Sequence, residues 1–114
     1  MTILIKSFTP NALSEMAGSK LREKILLSYA NNPKEKIILD FEGIGLYATM
    51  FFNASIGYLI QEDLIEITKN IEIINISLLG KKTLEHSKDN AIFIKQNANK
   101  TEIEKIVSNA INES

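Results

Sequence analysis

Apolar and polar positions follow two rhythms along this chain, and each rhythm predicts a kind of element. TILIKSF, residues 2–8, reads as a short first strand. After the TPNALS break, SEMAGSKLREKILLSYA places Ala17, Leu21, Ile25 and Leu26 at helical spacing with the charges opposite, which predicts a first helix. NNP ends it, because Pro33 has no amide donor and biases Asn32 away from the α region. KIILDF is an almost continuous apolar run and predicts a central strand covered on both faces.

A second helix is predicted from about Thr49 to Leu64, with Phe52, Ile56, Leu59, Ile60 and Leu64 on its inward stripe. IEIINISL reads as a further strand, GKKTLEHSKD as a short amphipathic helix and AIFIKQ as a last strand. NKTEIEKIVSNAIN carries a capping-box pattern from Thr101 to Glu104, ahead of a stripe of Ile103, Ile106, Val107, Ala110 and Ile111. The order is βαβαβαβα, which predicts a mainly parallel or mixed four-stranded sheet with about four helices packed on it. The two prolines, Pro10 and Pro33, sit in polar punctuation and separate elements rather than domains, so residues 1–114 read as one α/β domain.

Composition narrows the function classes. At 45% hydrophobic and 24% charged, the chain has the make-up of a soluble globular protein. Thirteen basic against fourteen acidic residues give a net charge of -1, so there is no electrostatic footprint for nucleic acid. With no cysteine there are no disulfides, thiolate chemistry or cysteine-based zinc sites, in keeping with a reducing cytosol. MTILIKSFTPN has neither the charged leader nor the apolar length of a signal peptide, and no run of about 18 apolar residues predicts a membrane span. A cytoplasmic location is the expectation. The heavy use of Ile, Asn and Lys is that of an AT-rich microbial genome.

Catalysis requires a nucleophile with a base, a carboxylate pair or a metal cage. The single histidine, His86, lies in TLEHSKD on a polar helix, where Glu85, Lys82 and Lys88 make no triad with it; it reads as a solvated surface residue. Asp40 and Glu42 stand at the carboxyl end of a strand, where open α/β sheets usually place ligands. The turn that follows adds only Thr49 as an oxygen ligand, so Asp40 reads as an acceptor for loop amides, with a ligand role as the alternative. Gly43 and Gly45 lack the lysine of a phosphate loop and the third glycine of a dinucleotide fingerprint, and read as a tight exit from the sheet. A non-enzymatic protein without a cofactor or metal is the expectation.

KIILDFEGIGLYATMFFNASIGYLI, preceded by AGSKLREKIL, resembles the core of the STAS domain, the fold of bacterial anti-sigma-factor antagonists and of sulfate-transporter tails. DFEG followed by an aromatic-led helix is closer to the bacterial group called STAS-like, and IEIINISL, KKTLE, AIFIK and the final helix fall in the family's order. The resemblance implies a protein-interaction or regulatory module. In antagonists of that family the turn entering the second helix carries a phosphorylatable serine, and the added phosphate expels a partner that is often a histidine-kinase-like ATPase or anti-sigma factor. Here Ala48, Thr49 and Met50 occupy those places, so the usual acceptor falls on Met50, which has no hydroxyl.

Three readings follow. In the first, Tyr47, Thr49, Met50 and Phe51 bind a partner protein, since aromatic and methionine side chains suit interface anchors. In the second, Thr49 is a phospho-acceptor; it also reads as an ordinary helix N-cap, and the two do not exclude each other. In the third, the sheet's carboxyl edge holds a small molecule or nucleotide through Asp40, Glu42, Gly43 and Gly45. Homodimerisation is a further possibility.

Overall fold

The structure, a computed structural model, describes residues 1–97 with their side chains and the backbone of residues 98–113. Strands β1 (Thr2–Leu4), β2 (Ile37–Asp40) and β3 (Ile71–Ile74) form one parallel sheet in the order β1-β2-β3. A 3-10 turn, Ile5–Ser7, and helix α1 (Glu15–Asn31) connect β1 to β2. Helices α2 (Thr49–Ala54), α3 (Ile56–Gln61) and α4 (Ile65–Lys69) connect β2 to β3, and α5 (Leu78–Glu113) follows.

Among the described residues the sheet is covered on one face. Ile3, Leu39 and Ile73 lie in register, beside the pair Ile37 and Ile71, and this row packs into the core with Leu21 and Ile25 of α1. The opposite rows, Thr2–Ile38–Glu72 and Leu4–Asp40–Ile74, face outward, and Leu4 is 42% exposed. KIILDF therefore alternates after all: Ile37 and Leu39 are buried, whereas Ile38 and Asp40 are half-buried. The apolar Ile38 concealed the period of two.

The fourth strand expected at AIFIKQ is a correction, because these residues lie inside α5. No glycine or proline follows Gly80, so nothing interrupts the helical hydrogen-bond ladder. Burial there falls on Leu84, Ser87 and Ala91, a helical spacing. A strand would have buried Ile92 and Ile94 together, yet they are 45% and 50% exposed. The helix boundary expected at Thr101–Glu104 is likewise absent from the α5 backbone; these side chains and the stripe from Ile103 to Ile111 lie outside the described residues.

The second helix is broken rather than continuous. Ser55 departs from helical geometry at φ −106 and ψ −94, fully buried, and its hydroxyl donates to the Phe51 carbonyl at 2.9 Å. Back-bonding to the i−4 carbonyl bends helices. The apolar stripe survives the break, with Phe52, Ile56 and Leu59 buried and Ile60 and Leu64 packed against them. Asp63 then takes φ 59, a left-handed turn that aspartate tolerates, ahead of α4.

Helix α1 begins where Ser14, in extended conformation, accepts the Ala17 amide on its hydroxyl at 3.0 Å. Its closest neighbour is α2. A Cβ placed on Gly18 would stand 2.3 Å from the Phe51 carbonyl oxygen and 2.9 Å from the Ala54 Cβ. Backbone therefore meets backbone at this crossing, and only glycine fits. Gly18→Ala is expected to destabilise the fold by about 1–3 kcal/mol in urea unfolding, the usual range for overpacking. Gly45→Ala, whose added methyl meets nothing within 4 Å, should stay within about 0.5 kcal/mol.

Candidate functional site

Between β2 and α2 the chain turns over the carboxyl end of the sheet. Asp40 closes the strand and its Oδ1 accepts two hydrogen bonds at 3.0 Å, from the Glu42 amide and from the Asn75 side chain. The first makes a local turn and the second ties the end of β2 to the residue after β3. Asp40 thus holds loop donors, as expected for it. Gly43 takes φ +80, where a side chain is strained, while Gly45 has no positive φ and stands in open space. Of the two glycines, the tight exit rests on Gly43. Glu42 points to solvent.

Below the turn lies an aromatic cluster. Phe41 and Phe52 are fully buried with ring centroids 5.8 Å apart, and Tyr47 stacks on Phe52 at 6.3 Å with planes 9° apart. Phe51 meets Phe52 edge-on at 5.2 Å and is itself fully buried. Phe51 was expected at a partner surface; it is a core side chain, because the start of α2 turns both phenylalanines under the loop. The Tyr47 hydroxyl donates to the Ile44 carbonyl at 3.1 Å, and Ile44 plugs the core from above.

Two further segments fix the turn. Ala12 forms a parallel bridge with Tyr47: its amide donates to the Leu46 carbonyl at 3.0 Å, and its carbonyl accepts from the Ala48 amide at 2.8 Å. The first turn of α5 closes on the other side, where a Cβ on Gly80 would stand 2.7 Å from the Tyr47 ring. Each contact restrains the backbone on which the candidate residues sit.

At the start of α2 the N-cap position falls on Ala48, extended at φ −134 and ψ 147, and no side chain caps the helix. The N-cap role expected of Thr49 is therefore not filled; Thr49 is the first helical residue and is half-buried. Met50 is 55% exposed. Further apolar side chains are exposed on the segments that meet here: Leu46 at 54%, Leu13 at 39% and, in the first turn of α1, Met16 at 72%. Leu13 follows the Ala12 bridge, and Met16 lies in the first turn of α1, whose first residue Glu15 shares a groove with Met50. The available signal was negative: Met16 is out of phase with the stripe of Ala17, Leu21 and Ile25.

His86 is exposed on α5. Among the described residues, no three histidine, cysteine, aspartate or glutamate side chains are grouped to hold a metal ion. The two fully buried hydroxyls have structural partners: Ser55 donates to the Phe51 carbonyl and Ser87 to Asn53 Oδ1 at 2.6 Å.

These features define a small α/β domain that carries a clamped strand-to-helix turn on its surface. A family model described as a STAS-like domain of unknown function (DUF4325) matches residues 17–81, from α1 to the first turn of α5, and the chain belongs to that family. The matched span is narrower than the resemblance implied: β1, AIFIKQ and the final helical segment lie outside it. No curated protein and no solved structure matches the chain.

Removing the Tyr47 hydroxyl tests the clamp. Tyr47→Phe should lower stability by about 1 kcal/mol, one hydrogen bond's net worth. Amide exchange in this variant should quicken at Ala12 and Ala48, whose amides make the bridge, with the core amides of β2 changing only by the global loss.

Proposed function

We propose that this domain is a non-catalytic interaction and regulatory module that binds a partner protein through the start of α2. The observation that carries this reading is that apolar side chains are exposed on the two segments joined by the Ala12–Tyr47 bridge, Leu13 on one and Leu46 and Met50 on the other. Clustered exposed apolar residues mark interaction sites more often than scattered ones do. Methionine and leucine supply adaptable contact area, and a backbone already fixed by the Ala12 bridge and the Tyr47 stack loses little entropy on binding. Tyr47 supports this surface from beneath, and Thr49 and Met50 present it.

The resemblance to STAS domains supports a histidine-kinase-like ATPase or anti-sigma-type regulator as the partner, in the cytoplasm. Among the described residues no helix is long and apolar enough to cross a membrane. Binding of nucleic acid, a cofactor or a metal forms no part of the reading.

Co-purification from the native host with tagged protein tests it. The wild-type chain should bring down one discrete partner that Leu46→Asp and Met50→Asp both lose, while circular dichroism shows both variants folded. Equal recovery by both variants would exclude the surface, and a doubled mass in light scattering that Met50→Asp abolishes would assign it to a homodimer instead.

A second reading makes Thr49 a phospho-acceptor. Its support is that Thr49 stands half-exposed among these contacts with no capping role for its hydroxyl. A phosphate there adds about two negative charges to an apolar binding surface and would expel the partner. Intact-mass analysis of protein from its own host should show one added phosphate, absent in Thr49→Ala; an unmodified mass under all growth conditions removes this reading.

A further inference from the structure

We propose that the outer edge of β3 takes an extended, aliphatic and acidic segment of a partner protein as an added parallel or antiparallel strand. This site is separate from the start of α2. The order β1-β2-β3 leaves β3 at an edge. The Asn70 carbonyl accepts from the Ile37 amide at 2.9 Å and the Ile74 carbonyl from the Phe41 amide at 3.1 Å, so residues 70, 72 and 74 direct their backbone groups toward β2. Strand alternation then turns the amides and carbonyls of Ile71 and Ile73 outward. Such a row of free backbone groups is a template for another strand.

The side chains beside this edge define what fits. Ile71 and Ile73 line a hollow of about 290 Å³ together with Ile56 and Ile60, and Lys69 and Lys88 border it. The hollow is small and open for a whole organic ligand, and it suits two aliphatic side chains carried at alternate positions of a strand. The border is basic. Among the described residues no carboxylate lies within 4.0 Å of the Lys69 ammonium, and Lys88 reaches Glu85 only at 3.7 Å. An incoming strand with branched aliphatic residues toward the hollow and glutamate or aspartate between or beside them matches both the apolar floor and the positive border.

Amide hydrogen exchange on the full chain tests this, with an acetylated and amidated hexapeptide of alternating valine and glutamate as the probe. Exchange at Ile71 and Ile73 should slow at least tenfold at saturating peptide. Lys69→Glu combined with Lys88→Glu should weaken binding at least tenfold, and the same peptide N-methylated at alternate amides should give no protection. Met50→Asp should leave the peptide's affinity unchanged, so failure here is distinguishable from failure of the α2 surface. Three results would overturn the proposal: no slowing at millimolar peptide, equal protection by the N-methylated peptide, or protection without peptide that grows with protein concentration, which assigns the edge to a second copy of the chain.

Discussion

The crossing of α1 over α2 at Gly18 is the constraint on which the rest of the structure depends. A hydrogen in place of a side chain lets the Phe51 carbonyl and the Ala54 methyl approach the α1 backbone to a distance that no other residue allows. That approach fixes α2 immediately after its start, and Phe51 and Phe52 are thereby turned down into the aromatic cluster with Phe41 and Tyr47. Ser55 ends α2 after six residues by bonding back to the same Phe51 carbonyl region, so one short helix is held at both ends. Core packing and surface geometry are thus joined at a single residue pair.

The turn between β2 and α2 inherits that rigidity and adds its own. Asp40 ties it to the end of β3, the Ala12 bridge ties it to the segment before α1, and Gly80 brings α5 against Tyr47. Three parts of the chain that are distant in sequence converge on eight residues. Loops with this much restraint are suited to presenting side chains in a fixed arrangement, and the exposed side chains here include the apolar Leu46 and Met50. Membership of the STAS-like family agrees with such a domain, though the family description assigns no function.

Much of the fold was legible in the sequence wherever one periodicity dominated. The stripe of Ala17, Leu21 and Ile25 gave α1, and the aliphatic runs at residues 37–40 and 71–74 gave β2 and β3. Failures came where a residue served tertiary contact instead of local pattern. AIFIKQ has the β-branched composition of a strand, but the absence of any breaker after Gly80 and the packing of Ser87 and Ala91 keep it helical. Ser55 breaks a helix with no proline or glycine at the break. Nothing in the local pattern marks Gly18, since only the partner helix reveals why it is needed. At the candidate site, the position of Tyr47, Thr49 and Met50 at the entry to an apolar helix was readable. Phe51 was misplaced because exposure at a helix start depends on the helix's rotation, which the α1 crossing sets. Leu13 and the Ala12 bridge join the site only through folding.

The central claim, that the start of α2 is a partner-binding surface, is tested most directly by site-specific cross-linking in the native host. A photoreactive amino acid placed at Met50 should give one discrete cross-linked product of the domain with a second protein. The same amino acid at Glu66, exposed on α4 before β3 and so at the other end of the sheet, serves as the comparison. The account predicts a product from position 50 and none of that mass from position 66. No product from position 50, or the same products from both positions, would contradict it.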